Sequence, residues 1–224
     1  MGEAGWRVTP FASRTRALSP TLPQGRVGEA VHTLSRTRQY PGATHLFGGF
    51  MSDRHFSSWP PSVPRELNTP ETSLWTNLEN SAAKHPDRPC LVFYDSTLSY
   101  REVQRECERL AGYLQQVCGV KQGDRVGIYM QNSPQFILAY YAILRANAVV
   151  VPVNPMNLTK EVQYMMEDSG AKVLFASQEL AAQVLPLAGG KPLEHVIVCT
   201  YSDYLTKATD LAIPELVKAP RQSF

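Results

Sequence analysis

Leu144-Arg145-Ala146-Asn147-Ala148-Val149-Val150-Val151-Pro152-Val153-Asn154-Pro155 reads as the end of one helix running straight into a buried strand and a proline-stopped loop. Asn147 stands where a left-handed helix-ending residue is wanted, and Asn is the commonest substitute for Gly there. Residues 148–153 are apolar without alternation, as expected of a strand covered on both faces of a parallel sheet. The stretch specifies scaffold and carries no chemistry.

Working back from it, Ser133-Pro134 supplies an N-cap followed by proline at the first helical position, so a helix is expected from there to about residue 146. Residues 125–130 precede it as a strand. Working forward, Thr159 opens another helix, with Glu161 near its positive end and Gly170 as its stop. Residues 172–176 read as a strand, Ser177 as the cap of a helix over 178–187, and residues 195–199 as a further strand. Alternating helices and short apolar runs are the layout of an α/β domain.

The best specified element lies further upstream. Ser99 and Glu102 have capping-box spacing, and Leu98 and Val103 occupy the positions of a hydrophobic staple. The helix they start should bury Val103, Cys107, Leu110, Ala111, Leu114, Val117 and Cys118 and end at Gly119. Its outer face offers three pairs, Glu102 with Arg105, Arg105 with Glu108 and Glu106 with Arg109, each worth only about 0.2–0.5 kcal/mol. Before it, Leu74, Leu78 and Ala82 recur every four residues in a helix stopped by Pro86. Residues 91–94 read as a strand and Asp95-Ser96 as a turn.

The first seventy residues differ. They hold eight of the seventeen prolines and eight Arg but no Lys, against Glu3, Glu29, Asp53 and Glu66, and no sustained period of 3.6 or 2. A tail without packed structure is expected over residues 1–58, with Met51 as a natural second start. Prolines 10, 20 and 23 interrupt the amphipathic helix that an organellar transit peptide would need. The net charge of +2 and the 14 basic against 16 acidic residues beyond position 70 exclude a nucleic-acid footprint. Residues 136–153 are long enough to raise a membrane span, but Arg145 and Asn147 fall inside and Pro152 ends the run. Cys90, Cys107, Cys118 and Cys199 form no CxxC pair and read as reduced thiols.

Chemistry-bearing motifs are missing. Neither G-x-G-x-x-G nor G-x-x-x-x-G-K-[ST] occurs, and Gly189-Gly190-Lys191-Pro192 lies before a strand instead of between a strand and a helix, as an exposed loop. The five histidines have no metal-ligand spacing, with His32, His45 and His55 in the expected tail. No G-x-S-x-G occurs, Glu167-Asp168 reads as a solvated helix edge, and Tyr140 and Tyr141 read as core. No catalytic, cofactor-binding or metal-binding residue is expected.

Four ordered blocks nevertheless carry a resemblance: Leu98-Ser99-Tyr100-Arg101-Glu102-Val103, Gly123-Asp124-Arg125-Val126-Gly127-Ile128, Asn132-Ser133-Pro134, and the stretch 144–155. In order and spacing they resemble the N-terminal part of adenylate-forming enzymes, closest to the long-chain fatty acyl-CoA synthetases. The resemblance covers about residues 59–224, is strongest over 74–175, and leaves 1–50 unmatched. Where that family usually carries Gly between helix and strand, this chain has Asn147.

The resemblance implies an α/β fold, the parallel-sheet N-terminal subdomain of an adenylate-forming enzyme, incomplete, behind a disordered N-terminal tail. For the complete enzyme it implies ATP, Mg²⁺ and coenzyme A. A fatty carboxylate attacks the α-phosphorus of ATP to give acyl-adenylate and pyrophosphate, and coenzyme A thiolate then displaces AMP. The family's phosphate loop, acid tunnel, ribose-binding Asp and catalytic Lys have no counterpart here, so this chain alone is expected to bind none of these cofactors and to be inactive. The expected setting is cytoplasmic, with peripheral membrane contact for the complete enzyme, no nucleic-acid partner, no transmembrane segment, and a homodimer as one allowed assembly. Poor solubility is expected of a domain that exposes apolar surface. The rival readings are another adenylate-forming acid ligase and a non-catalytic binding or assembly module. A dinucleotide-binding oxidoreductase is disfavoured because no glycine fingerprint follows a first strand.

Overall fold

The computed structural model describes residues 7–9, 53–64 and 70–224. Two compact units are present, one formed by 1–14 with 72–224 and the other by 15–71. Of the second, the described part is a 3-10 helix over Asp53–Ser58, with the Phe56 and Trp59 rings edge to face at 5.7 Å. Met51, His32 and His45 lie outside the described residues.

The larger unit holds β1 (Arg7–Thr9), α1 (Leu74–Lys84), β2 (Pro89–Phe93), β3 (Ser96–Ser99), α2 (Tyr100–Gln116), β4 (Arg125–Tyr129) and α3 (Pro134–Arg145). It continues through β5 (Val149–Val153), α4 (Thr159–Ser169), β6 (Val173–Ser177), α5 (Ala181–Val184), β7 (His195–Cys199) and α6 (Glu215–Lys218). The main sheet has the order β1-β7-β6-β4-β5. β4 to β7 are mutually parallel, and Arg7–Thr9, inside the stretch expected to stay unpaired, adds antiparallel to β7.

Alternate residues of each strand enter two cores. Val126, Ile128, Val173, Phe175 and Ile197 pack with α1, α2 and α3, while Leu174, Ala176, Val196 and Val198 pack with α4 and α5 on the opposite face. β6 is buried throughout. Gly127 gives Leu174 and Met166 their room, because a Cβ there would sit 2.5 Å from Leu174 Cδ1 and 3.2 Å from Met166 Cε and would make both side chains shift.

The helix ends follow the local chemistry. Ser99 Oγ accepts the Glu102 N–H while the Glu102 carboxylate accepts from the Ser99 N–H at 2.8 Å, a complete capping box. Ser133 Oγ accepts the Phe136 N–H at 3.2 Å ahead of Pro134. Asn147 takes φ +57°, with its own N–H on Leu144 O and the Ala148 N–H on Ile143 O, both at 3.0 Å. This is the Schellman arrangement that a left-handed residue closes. Gly170, at φ +66°, ends α4, whose last carbonyl (Ser169) accepts from Arg125 Nε at 2.6 Å.

Several expectations need correction. Leu74 is 51% exposed and Val117 57% exposed, because Trp75 takes the inward place on α1 and α2 is already turning out at its C-cap. The turn is Tyr94-Asp95, both at positive φ, and Ser96 begins a strand that pairs β2 in a separate antiparallel hairpin. Arg105 meets Glu106 instead of Glu102 or Glu108: the Glu102 carboxylate is engaged by Ser99, and Glu108 accepts from Gln104. The Glu106–Arg109 pair is present at 3.5 Å. β5 is not covered on both faces. It lies at the end of the sheet order, with Val149 47% exposed and Pro152 exposed. The helix expected over 178–187 is a 3-10 turn, the short α5 and a second 3-10 turn, because Ser177 Oγ donates to the Glu179 carboxylate and caps no helix.

Candidate functional site at the carboxyl ends of the strands

In an open parallel sheet, the crevice for a ligand lies beyond the carboxyl ends of the strands, where successive crossovers leave in opposite directions. Here β4 leads through α3 to β5 on one side, and the chain then returns to place β6 on the other side of β4. The switch therefore falls between β4 and β6, with α3 and α5 on opposite faces.

The residues that follow each strand there are polar and mutually engaged. After β4, the Gln131 N–H donates to Tyr201 Oη at 2.9 Å. After β6, Glu179 Oε1 accepts from Ser177 Oγ at 2.7 Å and from Tyr201 Oη at 2.9 Å. After β7, the Thr200 carbonyl accepts from Gln135 Nε2 at 2.6 Å, and Thr200 Oγ1 donates to Gln178 Oε1 at 3.1 Å. Tyr129 Oη donates to the Asn157 carbonyl in the loop after β5. Tyr201 is 3% exposed, and burial pushes its phenol up, so it stays a neutral donor. Asp203 is also raised by burial, and its partner Arg221 pulls it back.

This network holds loops in place and offers no reactive group. The two hydroxyls that donate to Glu179 belong to buried residues, Ser177 at 0% and Tyr201 at 3% exposure. Among the described residues no cluster of His, Cys, Asp or Glu could hold a metal ion. The amino terminus of α3 points into the crevice, yet Pro134 has no N–H to give and Ser133 Oγ already occupies the Phe136 N–H. Gln135 Oε1 and Tyr204 Oη are the buried side-chain atoms without a partner among the described residues.

The other features weighed in the sequence lie elsewhere. Gly189-Gly190-Lys191-Pro192 precedes β7, and its last three residues line a shallow groove of about 160 Å³ together with Gln163 and Glu167 of α4. Glu167 and Asp168 are solvent-facing. Tyr140 and Tyr141 pack against the first core, ring to ring at 5.8 Å. All four cysteines are free. No helix among the described residues is long and apolar enough to cross a membrane. The carboxyl-end network itself has no sequence motif. Its only signal is that Ser177-Gln178 and Thr200 follow directly on apolar strands.

A sheet with this order and this switch point invites comparison with known proteins. A family model described as AMP-binding enzyme matches residues 78–222. The chain belongs to the AMP-binding enzyme family.

Among curated relatives of this chain, the long-chain-fatty-acid–CoA ligase of Escherichia coli is 32% identical over 161 residues, covering 71% of this chain and 29% of the relative. The ligase of the same name from Bacillus subtilis is 28% identical over 159 residues, covering 70% and 28%. The chain thus spans under a third of the length of the curated relatives it matches. Among solved structures, an anthranilate CoA ligase in complex with anthranoyl-AMP superposes with a TM-score of 0.54 at 25% identity, covering 57% of this chain and 24% of that one. A long-chain-fatty-acid-CoA ligase from Archaeoglobus fulgidus gives 0.54 at 25% identity, covering 60% and 28%. The fold is that of the N-terminal subdomain of adenylate-forming enzymes.

Proposed function

We propose that this chain is the N-terminal portion of an AMP-forming long-chain fatty acid:CoA ligase, which joins a fatty acid to coenzyme A with ATP converted to AMP and pyrophosphate. The observation that carries this reading is the 161-residue match at 32% identity to a ligase of that name. The parallel sheet and its polar switch point supply a floor for such a site. Its reactive groups are taken to lie outside these residues, since Ser133 Oγ takes the Phe136 N–H at the α3 terminus and the Glu179 carboxylate is held by Ser177 and Tyr201. ATP, Mg²⁺ and coenzyme A would be held by groups that this chain does not provide, and no chemical step is assigned to its side chains. We take residues 59–224 as the truncated ligase portion and 1–58 as a segment outside it in sequence, of which Arg7–Thr9 adds to the sheet at β7.

The test has two parts. Fatty-acid-dependent ATP–pyrophosphate exchange should be absent from purified residues 1–224, and present once the coding sequence that continues the frame is joined. Exchange by 1–224 alone would overturn the inactive-portion reading. A joined protein that activates aromatic acids and no fatty acid would move the assignment to another acid ligase, a reading favoured by the anthranilate enzyme's equal structural similarity.

A further inference from the structure

Residues 219–222 cross the carboxyl ends of β6 and β7, where side chains hold them at four points. The Gln178 amide makes two of these contacts. Its Nε2 donates to the Pro220 carbonyl at 2.9 Å, and its Oε1 accepts the Gln222 N–H at 2.7 Å. Ser202 Oγ donates to the Ala219 carbonyl at 2.8 Å, and the Arg221 guanidinium pairs with the Asp203 carboxylate.

The Gln178 contacts have a particular form. A strand residue in a parallel ladder donates to the carbonyl before its partner and accepts from the N–H after it. Gln178 does the same around Arg221 with a side chain, so its primary amide stands in for a backbone peptide just beyond the point where β6 ends. Gln178 is 9% exposed, and its Oε1 also accepts from Thr200 Oγ1, which sets which end of the amide faces which partner. Asp203, in the turn that follows β7, pairs with Arg221 and ties the same segment to a second strand end. Both are partly covered, with side-chain exposures of 26% and 24%, and the desolvation of Asp203 outweighs what Arg221 returns to it.

We propose that Gln178 is a positioning residue: its amide clasps residues 220–222 and fixes the path by which the polypeptide crosses the carboxyl ends of β6 and β7. The inference rests on the ligase reading above, in which further chain follows and must be delivered to the carboxyl ends of the strands. Gln178 touches no reacting atom; it acts through the segment it holds.

Amide hydrogen exchange on the full chain tests this without nucleotide or acid, so its failure leaves the ligase reading standing, and its success does not depend on activity. Gln178→Met keeps the side-chain volume and removes both bonds. The Gln222 amide should then exchange at least about tenfold faster, the size expected for losing one buried hydrogen bond. Amides of Phe175 and Ile197 should keep their protection. Gln178→Glu retains the acceptor for Gln222 and loses the donor to Pro220, so its rate should fall between the other two. A graded response follows hydrogen-bond count, which a space-filling role would not produce. Should Gln178→Met fail to fold, Arg221→Ala gives the same readout: protection of Gln222 within a few-fold of the unaltered chain supports the clasp, and full loss overturns it. Gln222 exchanging at the unprotected rate in the unaltered chain, or unchanged in Gln178→Met, also overturns the proposal.

Discussion

At the scale of single residues, Asn147 concentrates most of the argument. It is exposed, so nothing in its packing explains it; its φ of +57° and the two bonds of the Schellman turn do. The same turn directs Val149 onto Asp124, whose carbonyl accepts the Val149 N–H at 2.8 Å, and so sets the register of β5 against β4. A β-branched side chain is strained in this conformation. Asn147→Val should therefore lower stability by about 1–2 kcal/mol, and Asn147→Gly should leave it equal or raise it by up to about 1 kcal/mol. Chemical denaturation of the two variants checks the order. If Val were tolerated as well as Gly, the turn would not be what positions the strand.

At the scale of elements, the caps of α2 and α4 make contrasting predictions. α4 begins at Leu158, whose backbone is extended and whose N–H is held by the Glu161 carboxylate at 2.8 Å, but whose side chain offers the helix no acceptor and is 63% exposed. Leu158→Ser supplies the missing half of the capping box and should stabilise the protein by about 1 kcal/mol, read as a raised Tm. In α2 the box is complete, and Glu102 is held below its ordinary value of about 4.5 by the backbone and side-chain bonds from Ser99. A carboxylate lowered in the folded state contributes stability above its unfolded pKa and loses it as pH falls through the folded value. Glu102→Gln keeps the box and removes the titration. The unaltered chain should therefore lose stability relative to the variant from about pH 4.5 downward, and a constant difference across that range would exclude the effect.

These elements also show what was legible beforehand. Ser99 with Glu102, Ser133 with Pro134, and Asn147 are signals completed within a few residues, and each is found in its expected role. The four-residue β3 has no such signal, since Ser96–Ser99 becomes a strand only by pairing with β2. The apolar run of β5 looks fully covered because periodicity reports side-chain polarity and not position in the strand order. The carboxyl-end network was illegible for a related reason: Gln131 meets Tyr201 across 70 residues and Gln135 meets Thr200 across 65. Polar pairs at that separation have no local pattern.

At the scale of the whole molecule, the core under α1, α2 and α3 governs thiol chemistry. Cys107 and Cys199 are fully or nearly fully buried and pushed up by desolvation, and Cys118 is pushed up to about 11 by the same cause. Cys90 is half-buried on β2 and raised by burial as well. A thiol reagent at mildly alkaline pH should label Cys90 first and the other three only on unfolding, because the thiolate is the reactive form. Mass spectrometry of the labelled native protein checks this, and early labelling of Cys107 would mean that the α2–α3 contact opens in solution.

The outer strand of the main sheet has one more property. With the Val149 N–H turned toward β4, alternation along the strand turns the amide positions of Val150 and Pro152 to the open side. Proline has no hydrogen to give there, so a stray strand approaching that rim finds one donor where a growing ladder wants two. Pro152 thus removes one of the two amide donors by which a further strand would be held beside Val149 and its neighbours.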